Sequence, residues 1–520
     1  MGSIHHNAND PEPILGIVRA RRLVQALTAQ PLTARQVLVF YLLALGLYAL
    51  PLILNNVLFI DDNLREMQAA TWWRTEGRVL GDYLFNAVSF TPGTPDFFPL
   101  SMLLAIGCMA VALTHLAHHW FKRPLFSQCL ILLPLWYNPF FLQELSYQYE
   151  CLTLSLGVAL VILAMSLEMR LAWLQVLARA VLLAAALSLD QLPLNVYVGL
   201  VCVDVLRQGT VAPTWRGLLK VPSNALATLL LGGMLYYLSA YQLLTDDRGG
   251  VILPNLGQWQ ARIALLAAHV GLFITPANGL IFAGLAGCAL AGWLITVRVA
   301  LRSPVGAGLK VGYLCLTCAA TAGVVLAVGG LLLFLFDMAA NAEARVLVGV
   351  APLLVALLLM AHRFIQALRP GWTLLLVLPL ATFLSFAYVY GQYMRQKNEL
   401  ELFVRTLVVA DLFNHEALAS AKGIYVMEDS NNDINNVFAR VCVQRMLPAL
   451  RYIAVNDYQF LPEQLTKWGV ANMAGDAPAQ VPDLGEPLVK RPFYAIYRAG
   501  EYGYIRFAAR QLGLPCPSLR

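Results

Sequence analysis

Asp61 and Asp62 stand directly after the first long apolar run of the chain, and Arg65 follows one helical turn later. The run from Val37 to Ile60 is long enough to cross a bilayer of about 30 Å as a helix. The two acids therefore lie at headgroup depth, where charged side chains are costly and mark functional sites. A carboxylate at this depth can act as a general base toward a lipid-linked substrate, and a nearby arginine can bind its phosphate.

Two further arginines are predicted on the same side of the membrane. Arg78 lies in the turn Gly77–Asp82, and Arg345 enters a later apolar helix at its outer end. Paired guanidinium N–H donors suit a phosphate, although an arginine at a helix end can also snorkel to the headgroups. Because adjacent helical residues point about 100° apart, we expect one of Asp61 and Asp62 to face the reaction. The other would cap the helix or bind the acceptor.

A metal held by both acids is a less favoured alternative, because no third oxygen ligand is evident in the sequence. We therefore predict no metal and no cofactor. Cys315 and Cys318 form a single CxxC pair in an apolar helix without a matching partner, and no histidine-rich metal spacing is present.

Aromatic side chains accompany the polar residues of the outer loops. Trp72 and Trp73 end a predicted surface helix that begins at Asp62, and indole rings prefer the membrane interface. Glu144 and Tyr147 lie in a second loop that is rich in aromatic residues. We take these two tryptophans, Glu144 and Tyr147 as candidates for binding the acceptor or the sugar. The alternative for an isolated loop of this kind is a solvated amphipathic connector.

The composition is that of a polytopic membrane protein. Of 520 residues, 59% are hydrophobic and 13% are charged, and the mean hydropathy is +0.64. These values lie outside the range of soluble globular proteins. The net charge of +6 comes from dispersed basic residues that serve topology, so we predict a bilayer and no nucleic acid among the partners.

The charges of the loops orient the chain. Residues 1–36 are polar and contain four arginines, so we expect no cleavable signal peptide and a cytoplasmic amino terminus. The apolar segment Trp259–Ile274 is short, and counting it as a span would move the basic cluster Arg298–Lys310 outside. We therefore predict an interfacial helix there and about eleven transmembrane helices. The alternative is about twelve spans with a cytoplasmic carboxyl-terminal domain.

Three parts are predicted along the chain: a cytoplasmic segment over residues 1–35, a transmembrane domain over 36–392 and an outer α/β domain over 393–520. The last part becomes polar, and it contains strand and hairpin patterns at 423–427 and 493–507. Its only two cysteines are Cys442 and Cys516. They form a disulfide in one interpretation and are unrelated thiols in the other.

These residues together resemble the bacterial and phage serotype-converting glucosyltransferases that modify O-antigen, which are members of the multi-spanning GT-C class. The resemblance rests on Ile60–Asp62 with Arg65, on the turn Gly77–Leu80 and on the segment Asn138–Tyr147. Spacing and hydropathy agree from about residue 36 to residue 390.

The resemblance implies a GT-C-like fold in the bacterial inner membrane, with a periplasmic carboxyl-terminal domain. It implies a hexose, commonly glucose, on polyprenyl (undecaprenyl) phosphate as donor, and a hydroxyl of O-antigen or lipopolysaccharide as acceptor. Asp61 or Asp62 would then be the base, and the donor phosphate would contact Arg78 and Arg345. Arg65 would either orient the acid pair or join the phosphate site. A single base without a nucleophile partner predicts direct displacement, which inverts the anomeric centre.

One departure from the family pattern lies in the second loop. The family leads us to expect a basic residue and then an aspartate after Ser146, whereas this chain has Gln148 and Glu150.

Two other functions remain open: a transporter or flippase for a lipid-linked sugar, and a GT-C enzyme for a different sugar or acceptor. A transporter usually shows internal repeats or ionisable groups inside its spans. The middles of these apolar runs are almost free of charge, which favours the enzyme. Neither spacing nor composition identifies the sugar.

Overall fold

The computed structural model describes residues 29–208, 214–245, 255–330, 343–427, 439–454, 462–474 and 482–507. Helices dominate from Ala34 to Asn414, and short helices with a small sheet follow. The prediction of a helical, multi-pass protein with a small carboxyl-terminal sheet is confirmed.

The helices of the first part are, in chain order, α1 Ala34–Asn55, α2 Asp62–Gln68, α3 Val79–Ser89, α4 Leu100–Phe121, α5 Phe126–Leu132, α6 Phe141–Ser146, α7 Cys151–Ser166, α8 Ala172–Leu187, α9 Pro193–Gln208, α10 Trp215–Leu238, α11 Leu256–Gly271, α12 Gly279–Arg302, α13 Ala307–Ala327, α14 Val350–Leu368 and α15 Val377–Asn414. The later elements are α16 Glu416–Ala419, β1 Gly423–Met427, α17 Ala439–Met446, α18 Ala449–Ala454, α19 Pro462–Thr466, β2 Val489–Lys490, β3 Tyr494–Ala499 and β4 Tyr502–Phe507.

Seven helical segments among the described residues are long and apolar enough to cross a membrane. Three shorter apolar helices, which include α7 and α8, accompany them. The count of about eleven spans stays a prediction. The segment predicted at Trp259–Ile274 is helical as Leu256–Gly271, and its interfacial position stays a prediction.

The first span has clear signals at both ends. The Thr33 hydroxyl accepts a bond from the N–H of Gln36, and the Gln36 side chain accepts one from the N–H of Thr33. Such a capping box satisfies two N–H groups that a helix leaves open. At the other end Asn56 takes a left-handed conformation, and the helix ends there. This stop sets the start of the loop that carries Asp61.

The outer end of α1 is fixed against α15. The Asn55 amide donates to the carbonyl of Gly391 at 2.6 Å. Gly391 permits this approach, because a Cβ there would clash with Pro51. Nearby, the hydroxyls of Ser146 and Tyr390 lie 2.8 Å apart. Helix α15 thus joins α1 and α6 behind the outer loops.

Helix α15 also connects the two parts of the molecule. It is 38 residues long, or roughly 57 Å, and it runs without a break across the predicted boundary at 392/393. Its residues up to Met394 pack into the membrane core, whereas those from Val404 pack into a second core. The domain boundaries themselves stay predictions.

The carboxyl-terminal sheet has the strand order β1-β4-β3-β2. Strands β3 and β4 form the predicted hairpin, which turns at Gly500 with a φ of +60°. Strand β1, at the predicted position, pairs with β4 in parallel. Helix α18 leaves this domain and packs into the membrane core, where the ring of Tyr452 stacks on His269 at 4.1 Å.

Candidate active site

Asp61 and Asp62 face different environments. Asp61 occupies the N-cap position of the short helix α2 without a side-chain capping bond, and 51% of its side chain is exposed. Asp62 is the first residue of that helix and is fully buried. Since adjacent helical positions diverge by about 100°, the expected separation of the two carboxylates is found. Only Asp61 is accessible to a substrate hydroxyl in this arrangement.

Asp62 fastens the second loop to the first. Its carboxylate accepts bonds from the N–H groups of Phe59 at 3.1 Å, Gln148 at 2.8 Å and Tyr149 at 3.4 Å. Burial raises the pKa of Asp62 to about 8, although the N–H donors and the charge of Arg65 act to lower it. The residue positions the loop that ends in Glu150.

The backbone before the acids is strained. Ile60 has a φ of +43°, which is a genuine outlier for a β-branched residue. The contacts between Phe59 and Asp62 hold it there, since the N–H of Asp62 donates to the carbonyl of Phe59 at 3.0 Å. Strain of this kind is typical of sites that must hold one conformation.

Glu150 lies at the centre of the site. Its carboxylate is 2.6 Å from Nη2 of Arg65 and 3.5 Å from Nη1 of Arg78, and it accepts a bond from Trp73 Nε1 at 2.9 Å. Burial acts to raise the pKa of Glu150, but the charges of Arg65, Arg78 and Arg345 prevail and lower it to about 2. The carboxylate is therefore ionised and serves as a shared counter-charge. We call Arg65, Arg78 and Arg345 with Glu150 the arginine cluster.

Arg78 has a second buried partner. Its Nη2 is 2.8 Å from Oδ2 of Asp190, which is fully buried, and its Nη1 is 3.4 Å from Glu76. Asp190 is in turn oriented by the N–H of Leu192 at 2.7 Å. The turn before α9 thus holds Arg78 in place.

Arg345 approaches the cluster from the other side. It lies in the helical turn Ala344–Gly349, and its guanidinium stacks over the ring of Tyr147 at 5.2 Å. Glu343 binds its Nε at 2.8 Å, and the Gln143 side chain accepts from its backbone N–H at 2.6 Å. Helix α6 thereby joins this arginine to the second loop.

Glu144 is a buried carboxyl within reach of the same charges. It is 1% exposed, and its Oε2 has no hydrogen-bond partner among the described residues. Burial and the nearby Asp190 carboxylate raise the pKa of Glu144, against the charges of Arg345 and Arg78. Its position next to the cluster agrees with a role toward the sugar, which stays a prediction.

The two tryptophans occupy different places, and the prediction of interfacial rings is wrong for one of them. Helix α2 ends at Gln68, because Ala69 adopts a left-handed conformation with a φ of +49°. Trp72 is 40% exposed, whereas Trp73 is 1% exposed and is bound to Glu150. Trp73 also lies under the guanidinium of Arg65 at 5.0 Å. It supports the arginine cluster from within.

The buried partners of the arginines were not among the predicted site residues. Glu150 and Asp190 each stand just before an apolar helix. Glu150 is 77 positions along the chain from its partner Trp73, and Asp190 is 112 positions from its partner Arg78. One signal was available: arginines on the outer side run against the usual distribution of charge, so they require acidic partners. The sequence does not show which acids these are.

The cluster has the donors that a phosphate needs. Arg65 is 3% exposed, and its Nε and Nη1 have no hydrogen-bond partner among the described residues; the same holds for Nε of Arg78. Nη1 of Arg65 lies 4.0 Å from Asp61. Guanidinium groups bind phosphate oxygens through paired N–H donors. The accessible carboxylate and the donors for an anion are therefore neighbours.

The predicted disulfide belongs to the carboxyl-terminal domain and not to the site. Cys442 is disulfide-bonded, but Cys516 lies outside the described residues, so this pairing stays a prediction. Within the described ranges no three His, Cys, Asp or Glu side chains are grouped to hold a metal ion. The expectation of no cofactor stays a prediction.

Fold and site together define a multi-helical membrane protein with an acid–arginine site at one end of its helical bundle. Residues 50–248 match the sequence model of the family described as glucosyl transferase GtrII. This range contains Asp61, Asp62, Arg65, Arg78 and Glu150. The resemblance to serotype-converting glucosyltransferases is thereby confirmed over these residues, and the match supports a glycosyltransferase activity.

A curated relative points the same way. An uncharacterized 55.3 kDa protein in the gtrB 5′ region of Salmonella phage P22 is 28% identical over 255 residues, which cover 46% of this chain. The match spans about half of that relative, 51% of its length. No solved structure matches the chain, so the GT-C-like fold stays a prediction.

Proposed function

We propose that this chain is a membrane glucosyltransferase. It moves glucose from polyprenyl (undecaprenyl) phosphate to a hydroxyl of O-antigen or lipopolysaccharide on the periplasmic side of the inner membrane. The amino terminus is cytoplasmic and the carboxyl-terminal domain periplasmic. The observation that carries the proposal is the half-exposed Asp61 beside the buried arginine cluster, within the range that matches the glucosyl transferase family.

Asp61 is the general base in this mechanism. Its carboxylate takes the proton of the acceptor hydroxyl while the hydroxyl oxygen forms a bond to the anomeric carbon of the sugar. A positioned base of this kind contributes about 10²- to 10⁴-fold in rate. Asp62 is a positioning residue, because its oxygens are used by the backbone of the second loop.

The arginine cluster stabilises the leaving group. As the bond between the anomeric carbon and the phosphate oxygen breaks, polyprenyl phosphate gains negative charge. Fixed cations aimed at developing charge lower the barrier of such a reaction more than most other features of an active site. The N–H donors of Arg65 and Arg78 that lack a partner among the described residues are buried in this structure, so the bound donor has to open the cluster to reach them. No proton has to be supplied to the phosphate.

Glu150 keeps these cations together before the donor arrives. Three guanidinium groups would repel one another without a buried counter-charge. Glu150, whose pKa the arginine charges lower to about 2, supplies that charge. Glu144, Tyr147 and Trp72 remain the candidates for binding the sugar or the acceptor, and only Trp72 among these three is exposed.

Transfer should invert the anomeric centre. The site offers one accessible carboxylate and no second carboxylate that is equally exposed beside it, so a glycosyl-enzyme intermediate has no evident nucleophile among the described residues. Comparison of the anomeric configuration in donor and product by NMR tests this step. A product with the configuration of the donor would contradict single displacement.

The proposal as a whole is tested by transfer in membranes that contain the protein. Radiolabelled polyprenyl-phosphate glucose and lipopolysaccharide are supplied, and membranes without the protein serve as the control. We expect label in the lipopolysaccharide only where the protein is present. If label crosses the membrane of sealed vesicles but does not enter the lipopolysaccharide, the chain is a transporter and the proposal fails.

A further inference from the structure

A second charged cavity lies at the opposite end of the bundle from the arginine cluster. Helices α7 and α9 begin beside Glu150 and Asp190, and both are 16 residues long, or roughly 24 Å. Their far ends reach a cavity of about 760 Å³. The cavity is therefore separated from the active site by about the thickness of a membrane core.

The polar wall of this cavity is positively charged. Four Lys or Arg residues and two carboxylates line it. Arg179 and Arg207 are committed to the protein: Arg179 bonds the carbonyls of Met165 and Leu167, and Arg207 bonds Asp204. These bonds fix the ends of α7 and α9. Asp204 offsets the charge of Arg207, whereas the carbonyl partners of Arg179 leave its charge in place.

Lys220 of helix α10 is the cation that remains available. Among the described residues it has no ion pair, and it lines the cavity one turn before Asn224. Residues four positions apart share one face of a helix, so the ammonium and the amide point to the same space. Together they offer N–H donors to an anion.

The rest of the cavity is apolar. Its wall includes Leu218, Val221, Ala225 and Leu316. On its outer side α10 exposes Leu219 and Leu226, at 50% and 55%, as expected for a helix in contact with acyl chains. Lys220 therefore lies where a lipid in the membrane leaflet at this end of the bundle contacts the protein.

We propose that this cavity binds an anionic glycerophospholipid, with the phosphate at Lys220 and Asn224 and part of an acyl chain along the apolar wall. Basic pockets between transmembrane helices are suited to such headgroups. A soluble phosphate would use the cations but not the apolar wall. The site is independent of sugar transfer, because its residues lie at the other ends of the helices.

The test is retention of lipid by the full-length protein. Protein taken from nanodiscs with equal phosphatidylglycerol and phosphatidylcholine is analysed by native mass spectrometry. We expect phosphatidylglycerol to be retained preferentially, and Lys220→Ala to reduce that preference about fivefold, as one cation near a lipid surface predicts. Arg216→Ala is the matched control, because Arg216 is an exposed cation on the same helix that does not line the cavity.

Two results would overturn the proposal: an unchanged preference in Lys220→Ala, or an equal loss in Arg216→Ala, which would indicate a general surface charge effect. Asn224→Asp adds a negative charge to the same wall and should also lower the preference, which provides a second variant if Lys220→Ala does not fold. A parallel experiment with inorganic phosphate distinguishes a lipid phosphate from a soluble phosphate as the ligand. If inorganic phosphate displaces phosphatidylglycerol as effectively as the lipid itself does, the site binds a soluble anion and the lipid assignment is wrong.

Discussion

At the scale of single residues, the two adjacent aspartates Asp61 and Asp62 have different roles. Asp61 is exposed beside Arg65, whereas Asp62 is buried under the backbone of the second loop. The sequence predicted that one of the two acids would face the reaction and that the other would have a supporting role, but it did not show which acid had which role. Burial distinguishes them, because a carboxylate that is enclosed by N–H donors cannot reach an acceptor hydroxyl.

Asp62→Asn should flatten the pH dependence of stability. Burial raises the pKa of Asp62 from 3.8 to about 8, so between these values the folded protein holds a proton that the unfolded chain releases. The stability linked to this group is complete below the unfolded value and is lost as the pH rises through the folded value. Thermal midpoints of the wild type should therefore fall with rising pH across this window, and those of Asp62→Asn should fall less.

Asp96→Asn is the control for this measurement, because Asp96 is exposed in the same outer loop. An identical slope in the wild type and Asp62→Asn would show that Asp62 does not hold the proton.

Glu150→Gln should strongly destabilise the protein. The substitution leaves two buried guanidinium groups without their shared counter-charge, and a broken buried ion pair costs about 3–5 kcal/mol. Glu168→Gln serves as the control, since Glu168 is 61% exposed in its pairs with His119 and Lys122 and surface pairs contribute about 0–1 kcal/mol. Thermal denaturation in detergent compares the two, and equal shifts would contradict a central role for Glu150.

At the scale of elements, the short helix α2 is the part through which the carboxyl-terminal domain meets the active site. Lys467, directly after α19, forms an ion pair with Glu66 of α2. The same helix carries Asp61 at its cap. Helix α15 holds the domain from behind, since it runs from the membrane core into the second core. Under the proposed function, we expect the domain to present an acceptor glycan to Asp61.

Lys467→Glu should weaken use of the acceptor without unfolding the protein. Both partners are about one third exposed, so the pair contributes at most about 1 kcal/mol to stability. Repulsion between Glu66 and the new carboxylate should loosen the contact and raise the apparent KM for lipopolysaccharide severalfold. The exchanged pair, Glu66→Lys with Lys467→Glu, should restore it. If the double variant is no better than the single one, the contact does not position the acceptor.

The helices and strands differ in how well the sequence predicts them. The hairpin at Gly500 and the spans could be predicted, because turn residues and long apolar runs are local signals. The end of α2 could not be predicted, since Ala69 is a good helix former and gives no stop signal. A helix that stops there turns Trp73 into the interior instead of the interface. The partners of Arg78 were equally hidden, because Asp190 lies far away in the sequence.

At the scale of the whole molecule, the acid–arginine site and the charged cavity lie at two opposite ends of the helical bundle. One end carries Asp61 and the arginine cluster, and the other carries the cavity at Lys220. A transporter needs ionisable groups along a path between the two faces. Among the described residues, the buried acids and arginines discussed above lie at the helix ends, which favours chemistry at one face.

The most direct test of the central claim is glucose transfer by Asp61→Asn. With radiolabelled polyprenyl-phosphate glucose and lipopolysaccharide, we expect the variant to insert normally and to transfer about 10²- to 10⁴-fold more slowly than the wild type. Asp96→Asn, which changes an exposed acid of the same loop, should transfer at the wild-type rate. Transfer by Asp61→Asn at the wild-type rate would show that Asp61 is not the base and would contradict the proposed mechanism.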